Sequence, residues 1–358
     1  MWVTSYELLR QDIERYAPLR FACCILDEAQ HIKNQSTLVS KAVKRIDCPQ
    51  RFILTGTPIE NRLSELWNLF DFLMPGYLFS HSAFVQKLEK PAIKSRSEEA
   101  MTKLQRMVQP FLLRRMKKEV LKELPPKIEY VRRISLSEDE RKVYFAASAA
   151  AKNSLTAGDN GKMAVFAALT ELRQICCAPG LRFENYAGPS SKLDACIELC
   201  AGMAENGHQI LLFSQFTSML DLIRARLDEL GITHFTLQGS TPKEKRAQLV
   251  KAFNAGEASV FLISLKAGGT GLNLTAADTV ILYDPWWNPA AQDQAVDRAH
   301  RIGQRSSVQV YKLIAKDTIE EKILKLQSQK AALLDAVTAS GESSILDMSK
   351  EELLALFE

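Results

Sequence analysis

Val260-Phe-Leu-Ile-Ser264-Leu-Lys266-Ala-Gly268-Gly-Thr-Gly271-Leu-Asn273 is an apolar, β-rich run that empties into a cluster of glycines. Glycines let backbone N–H groups approach a phosphate closely, and a flexible loop is the plainer alternative. No Gly-Lys-Ser/Thr follows, so this is not a Walker A loop. Working outward, similar short runs recur at Phe21–Leu26, Arg51–Leu54, Gln209–Phe213, His234–Leu237, Thr279–Tyr283 and Val308–Ile314. Helical patterns separate many of them, at Thr37–Arg45, Met219–Leu230, Lys243–Asn254 and Ala290–His300. Strands alternating with helices imply βαβ units and parallel sheets, hence an α/β fold.

The chain has 358 residues, 46% hydrophobic, 25% charged and 8% aromatic. At roughly 150 residues per domain this is about two domains. The composition excludes a disordered, collagen-like or disulfide-dense protein. No apolar run is long enough to span a bilayer, and Met1–Arg10 has no apolar core of a signal peptide. No membrane partner is therefore expected, and a cytoplasmic site is. The seven cysteines form no Cys-x-x-Cys pair. They are read as small core residues of a reduced protein, not as zinc ligands or disulfides. The net charge of +4 is too mild to identify a nucleic-acid partner. Between Arg114 and Arg133, however, eight basic residues face three acidic ones. A solvated helix face and a phosphate-contacting segment both fit that run.

From Ile59 to Ala178 the pattern is helical, with no convincing pair of strands, and Ala157-Gly-Asp-Asn-Gly161 reads as a turn between two helices. The expected organisation is an α/β piece over residues 1–75, a helical insert and basic connector over 76–185, a second α/β domain over 186–330, and a terminal helix and tail over 331–358.

Four further segments carry chemistry. Cys24-Ile-Leu-Asp27-Glu28-Ala-Gln30 puts two carboxylates at the end of a strand, where ligands of α/β folds bind. Asp27 can hold Mg²⁺, and Glu28 can orient or deprotonate an attacking water; a solvated strand end is the alternative. Leu54-Thr55-Gly56-Thr57-Pro58 also follows a strand, and its hydroxyls could sense a phosphate or merely turn the chain. Tyr283-Asp284-Pro285-Trp286-Trp287-Asn288-Pro289 reads either as two core aromatics or as one packed and one exposed Trp. In Gln294-Ala-Val-Asp-Arg298-Ala-His-Arg301-Ile-Gly-Gln304, Arg298 and Arg301 are three apart and would share one helix face. Two guanidiniums suit a transferred γ-phosphate, and an exposed basic helix is the alternative.

In this order the segments resemble the Swi/Snf-type DNA-dependent ATPases, a branch of the superfamily-two helicases. The matching stretches are Leu26–Asn34, Leu54–Asn61, Phe111–Lys127, Leu212–Phe216, Gly268–Asn273, Trp287–Pro289 and Arg298–Gln304, and they span nearly the whole chain. The Asp-Glu-Ala-Gln form, with Ile-Lys-Asn close behind, is similar to that of bacterial or archaeal members. The resemblance implies two RecA-like lobes, here an incomplete first and a complete second, joined by a helical insert. It implies ATP and Mg²⁺ between the lobes and double-stranded DNA across both. By the same resemblance Asp27 and Glu28 are the magnesium and water-activating carboxylates, and Arg298 and Arg301 the arginine fingers. Gln294 and Gly271 lie on the nucleotide side, and Thr55, Gly56 and Thr57 couple hydrolysis to DNA. Ser214, Gln215, Gly239, Ser264 and Lys266 lie along the DNA, and Trp287 touches the DNA or braces the lobe interface. Such contacts go mostly to phosphates, so sequence preference is weak and salt sensitivity strong. The expected setting is the nucleoid, with protein–DNA complexes as possible targets.

One departure matters. The family's GxxxxGK[ST] loop is missing: the only Gly-Lys, Gly161-Lys162, precedes Met163 and lies in the helical insert. Only 26 residues precede Asp27, fewer than a βαβ unit needs. The expectation is a carboxy-terminal portion of a DNA translocase, inactive alone. The alternative is a non-enzymatic DNA-binding or regulatory module that retains the second lobe. Retention of Asp27, Glu28, Arg298 and Arg301 together favours the first.

Overall fold

The computed structural model describes residues 1–56, 63–94, 97–113, 115, 117–157, 162–268 and 271–337. It divides into two compact units that meet in sequence at Arg114 and Arg115.

The first unit is built on two parallel strands, β1 (Cys23–Leu26) and β2 (Gln50–Ile53), paired from Cys23↔Gln50 to Leu26↔Ile53. Helices α1 (Tyr6–Gln11), α2 (Leu38–Lys44) and α3 (Leu63–Leu73) accompany them. Leu26, Ile32, Val43, Ile46 and Phe72 form the core beneath the sheet. Large apolar side chains also face outward: Ile25 of β1 is 61% exposed, Phe52 of β2 53%, and Leu54 just after β2 54%. Parallel sheets are otherwise covered on both faces. A second core, with Trp67, Phe70, Phe84 and Leu104, joins the other face of α3 to α4 (Glu98–Val108).

The second unit is a six-stranded, wholly parallel sheet. In chain order its strands are β3 (Lys127–Ile134), β4 (Ile210–Ser214), β5 (His234–Leu237), β6 (Val260–Ser264), β7 (Thr279–Leu282) and β8 (Val308–Ala315); in space they run β3-β8-β7-β4-β6-β5. Its longer helices are α5 (Glu138–Ala157), α6 (Lys162–Cys177), α7 (Ser191–Glu205), α8 (Thr217–Glu229), α9 (Lys243–Asn254), α10 (Pro289–Val296) and α11 (Ile319–Val337), the last belonging to this unit through Ser328 and to the first unit from Gln329. Every residue of β4 and β6 is buried. Their uninterrupted apolar runs follow from that, because alternate side chains enter two cores. Phe213, Phe261 and Ile263 pack with Phe253 of α9 and Val296 of α10. Leu212, Leu262 and Ile281 pack with Cys196, Ile197 and Cys200 of α7 and Ile223 of α8. The α7 cysteines are thus core residues, and all seven cysteines are free. Among the described residues no helix is long and apolar enough to cross a membrane.

β3 corrects the reading of 59–178 as wholly helical. It pairs along its full length with β8, from Lys127↔Val308 to Ile134↔Ala315. Its side chains are mostly exposed, so it has no deep core face to impose an apolar stripe. It is held by charge and rings instead. Tyr130 stacks on Tyr311 at 5.1 Å, and Glu129 accepts from Lys127 and Lys312, each at 2.6 Å. Charged side chains on an edge strand also discourage unwanted pairing. The helices flanking the expected 157–161 turn are present, but residues 158–161 lie outside the described ones.

Glu129 yields a pH prediction. Burial raises its carboxyl, but the two lysines outweigh that and bring it down to about 2. A lowered carboxyl contributes stability above its unfolded value, lost as the proton returns. Stability should therefore fall between about pH 4.5 and 2 more in the wild type than in Glu129→Gln. Parallel acid-unfolding curves would refute this.

Candidate functional site

In the first unit the site forms where β1 ends. Glu28 follows Asp27 in the left-handed region, with φ +49° and ψ +51°. That conformation costs a non-glycine residue roughly 1–3 kcal/mol and tends to persist at functional sites. The buried side chains of Ala29 and Ile32 anchor the turn that follows. The Glu28 N–H donates to Asp27 Oδ1 at 2.9 Å, and the Tyr6 hydroxyl donates to the Asp27 carbonyl at 2.7 Å. Burial, then the negative charge of Asp27, raises the Tyr6 pKa well above its usual range, so Tyr6 remains a donor.

Gln30 was not singled out from the sequence, although it sits inside the Asp-Glu-Ala-Gln stretch. Its amide donates to Glu28 Oε2 at 2.7 Å, and its carbonyl accepts from the Thr55 hydroxyl at 2.9 Å. The strand pairing carries this line across, because Leu54 N–H donates to the Leu26 carbonyl at 2.7 Å and Ala29 N–H to the Leu54 carbonyl at 3.1 Å. Gly56 is exposed beside Thr55, and Thr57 lies outside the described residues. Asp27 and Glu28 are exposed. Among the described residues no group of three or more His, Cys, Asp or Glu side chains forms a metal cage. Two carboxylates at a strand end instead suit Mg²⁺, which takes one or two protein carboxylates and fills its octahedron with phosphate oxygens and water.

In the second unit the parallel strands bring their carboxyl ends to one edge, and the chain changes direction around β4. Ligands of open α/β sheets bind at such an edge. Ser214 and Ser264 end β4 and β6 and stand in register; Gln215, Gly239, Lys266 and Trp287 lie in the segments that follow. Gly239 and Lys266 are exposed. Ser214 and Ser264 are buried, and the Ser214 hydroxyl donates inward to Asp284 Oδ1 at 2.6 Å. The Gln215 N–H donates to the same oxygen at 3.2 Å. Trp286 and Trp287 are both half-buried around the guanidinium of Arg173, an arrangement neither sequence alternative anticipated.

The arginine pair needs correction. Helix α10 ends at Val296, so Arg298 and Arg301 do not share a helix face. The chain turns there because the Arg298 carbonyl accepts from Leu274 N–H, at 3.1 Å. Arg298 is buried at 3% exposure, while Arg301 is half-buried and donates to the Leu272 carbonyl at 3.4 Å. Both arginines thus hold the loop containing Gly271, whose φ of +46° favours glycine. Gly269 and Thr270 lie outside the described residues. Gln294 is half-buried on α10, which begins with an Asn288 cap and Pro289. Gln304 has a structural role: its amide donates to the Ala277 and Ala299 carbonyls, and its oxygen accepts from Arg305 and Ser306 N–H.

The basic connector grips this turn. Lys117 pairs with Asp297 at 2.6 Å, and His300 Nε2 donates to the Pro125 carbonyl at 2.8 Å. Arg132 and Arg133 pair with Glu198 and Glu321. Much of the run's positive charge is therefore spent within the second unit.

The SNF2-related domain model matches residues 1–181, and the helicase conserved C-terminal domain model matches 191–303. The chain is 39% identical over 356 residues to an uncharacterized ATP-dependent helicase of Mycoplasma genitalium, covering 99% of this chain and 34% of that protein. It is 40% identical over 365 residues to a putative ATP-dependent helicase/translocase of Bacillus subtilis, covering 99% and 40%. The chain thus spans well under half the length of these relatives. The Sulfolobus solfataricus SWI2/SNF2 ATPase core in complex with dsDNA is similar in structure, with a TM-score of 0.56 and 35% identity over 99% of this chain and 76% of that one. With RecA-like parallel sheets and the motifs of both domains in order, this chain belongs to the SNF2 family of helicase-like ATPases.

Proposed function

We propose that these residues work as the water-activating and DNA-gripping part of a motor that couples ATP hydrolysis to movement along duplex DNA or to remodelling of protein–DNA complexes. The phosphate cradle of that motor lies outside this 358-residue sequence. The observation that carries the reading is the hydrogen-bonded line Thr55–Gln30–Glu28. It links the residue suited to accept a proton from water to a hydroxyl on the neighbouring strand end, so a shift at one is felt at the other. In this reading Asp27 holds Mg²⁺ and Arg301 balances charge developing on phosphate, with Arg298 fixing the loop beside it. Gln215, Gly239, Lys266 and Trp287 face the DNA backbone, and the buried Ser214 and Ser264 contribute through their main chain. Thr57, Gln294 and Gly271 keep their proposed coupling and nucleotide-side roles. The residue spans 1–75, 76–185 and 186–330 serve as first-lobe part, insert with connector and second lobe, followed by the 331–358 tail. The setting is the cytoplasm, at the nucleoid.

The exposure of Ile25, Phe52 and Leu54 at this small sheet supports the reading that the first lobe is incomplete here. Accordingly the 358-residue chain is expected to bind duplex DNA with strongly salt-dependent affinity and to show no DNA-stimulated ATP hydrolysis. A longer version that adds a Gly-Lys-Thr phosphate loop in frame is expected to hydrolyse ATP when DNA is present. Continued inactivity of the longer chain, with DNA binding intact, would favour the non-enzymatic binding module.

A further inference from the structure

Arg173 is a buried cation that joins two separate segments of the second unit's carboxyl edge. It projects from α6 and is 3% exposed. Its guanidinium carbon lies 5.6 Å from the Phe216 ring centroid, 5.6 Å from that of Trp286 and 5.4 Å from that of Trp287. Phe216 follows β4, and the two tryptophans follow β7, so rings from both segments surround one charge. Nη2 donates to the Pro285 carbonyl at 2.6 Å and stands 3.5 Å from Asp284 Oδ2. The other oxygen of Asp284 accepts from the Ser214 hydroxyl and the Gln215 N–H. Asp284 is itself buried, at 3% exposure. The neighbouring Tyr283 hydroxyl donates to the Cys177 carbonyl at the end of the same helix, at 2.6 Å.

A buried guanidinium is costly unless its charge is paired. Here Asp284 matches the charge, the Pro285 carbonyl accepts one hydrogen bond and three aromatic rings surround the guanidinium, while Nε and Asp284 Oδ2 have no hydrogen-bond partner among the described residues. Each partner lies within five residues of the end of β4 or of β7. These are the two segments to which Gln215 and Trp287 belong. Arg173 itself is enclosed and offers no charge to solvent.

We propose that Arg173 is a positioning residue for duplex DNA: it sets the orientation of Trp287 and of the Ser214–Gln215 peptide, and so governs affinity for the DNA backbone without touching it. The inference rests on the DNA-facing role given above to this edge.

The test uses the whole 358-residue chain with a fluorescein-labelled duplex of mixed sequence. Arg173→Gln keeps a polar side chain but removes the charge; Arg173→Lys keeps the charge but loses the planar fork. Arg173→Gln should raise the duplex Kd about tenfold or more, as expected when binding groups lose their alignment. Arg173→Lys should lie between it and the wild type. Because Arg173 meets no phosphate, the slope of log K against log salt should be unchanged in both. A slope reduced by about one would mean direct phosphate contact and overturn the proposal. So would a folded Arg173→Gln chain with wild-type Kd.

A second measurement needs no DNA. In a Trp2→Phe background, which removes the 68%-exposed Trp2, iodide quenching of tryptophan should rise in Arg173→Gln. If wild type fails to bind duplex DNA, the functional reading of the edge fails. Quenching then decides whether Arg173 orients Trp287: unchanged quenching overturns the positioning claim, and increased quenching sustains it. If Arg173→Gln does not fold, Arg173→Lys carries both measurements, and equality with wild type in both overturns the proposal.

Discussion

Replacing Lys192 by Met is expected to lower the stability of the second unit by about 3–5 kcal/mol, the usual cost of leaving one half of a buried ion pair without its partner. Lys192 on α7 and Glu320 on α11 are both 0% exposed. The Lys192 ammonium donates to the two oxygens of Glu320 at 2.7 and 2.6 Å, and lies 5.1 Å from the Tyr283 ring. Ala315 N–H adds a third donor to the carboxylate at 2.8 Å. Burial pushes the Glu320 carboxyl up, whereas Glu320 keeps the Lys192 pKa raised against burial. These directions pull the pair opposite ways, toward a neutral carboxyl and a charged amine. The three short donors to one carboxylate favour the ionised pair.

Lys192→Met leaves that carboxylate stranded among apolar residues. Adding Glu320→Leu removes the stranded charge, so the double variant should recover most of the loss. Urea unfolding midpoints of the four proteins complete the cycle. A single variant within about 1 kcal/mol of wild type would show that the pair is not isolated from water.

The second large effect concerns turnover. In a version that includes the phosphate loop, Glu28→Gln is expected to reduce DNA-stimulated ATP hydrolysis by about 10²–10⁴-fold, the range for losing a general base. Arg301→Ala is expected to lose about 10³–10⁵-fold, the range for an arginine finger. Arg301 is the cleaner test, since Arg298 is buried and its loss would disturb the loop it supports. Duplex affinity should be preserved in Glu28→Gln, because Glu28 lies in the first unit and the proposed DNA-facing residues in the second. Single-turnover hydrolysis separates the effect on chemistry from product release. A Glu28→Gln enzyme retaining a tenth or more of the activity would remove Glu28 from the role of base.

Several parts of this architecture were legible in the residues. β5 and β6 occupy the runs read as strands, and α9 the run read as a helix. Those segments are bounded by turns and bury continuous apolar faces, so local pattern and tertiary environment agree. β3 was not legible because an edge strand with exposed faces needs no apolar alternation. The clue available was a β-rich stretch, Ile128–Val131, placed one residue after Pro125-Pro126.

The site divides in the same way. Asp27, Glu28 and Thr55 could be located because strand ends announce themselves through an apolar run followed by polar residues. The bond from Gln30 to both Glu28 and Thr55 could not, since it depends on β1 and β2 lying side by side. Spacing put Arg298 and Arg301 on one helix face, and only the pairing of Arg298 with Leu274 showed the helix stopping short.

By itself, the sequence determined the α/β class, the order of the motifs, the family and the missing phosphate loop. The class follows from hydrophobic period, and the family from the resemblance of the ordered motifs; both are written locally along the chain. Only the tertiary structure decided that Ser214 turns inward, that Arg298 is buried and that Arg173 holds two distant segments together. Those outcomes depend on which charges and rings meet once water is excluded. Arg173 and Asp284 are 111 positions apart in the chain, and no local pattern encodes their meeting.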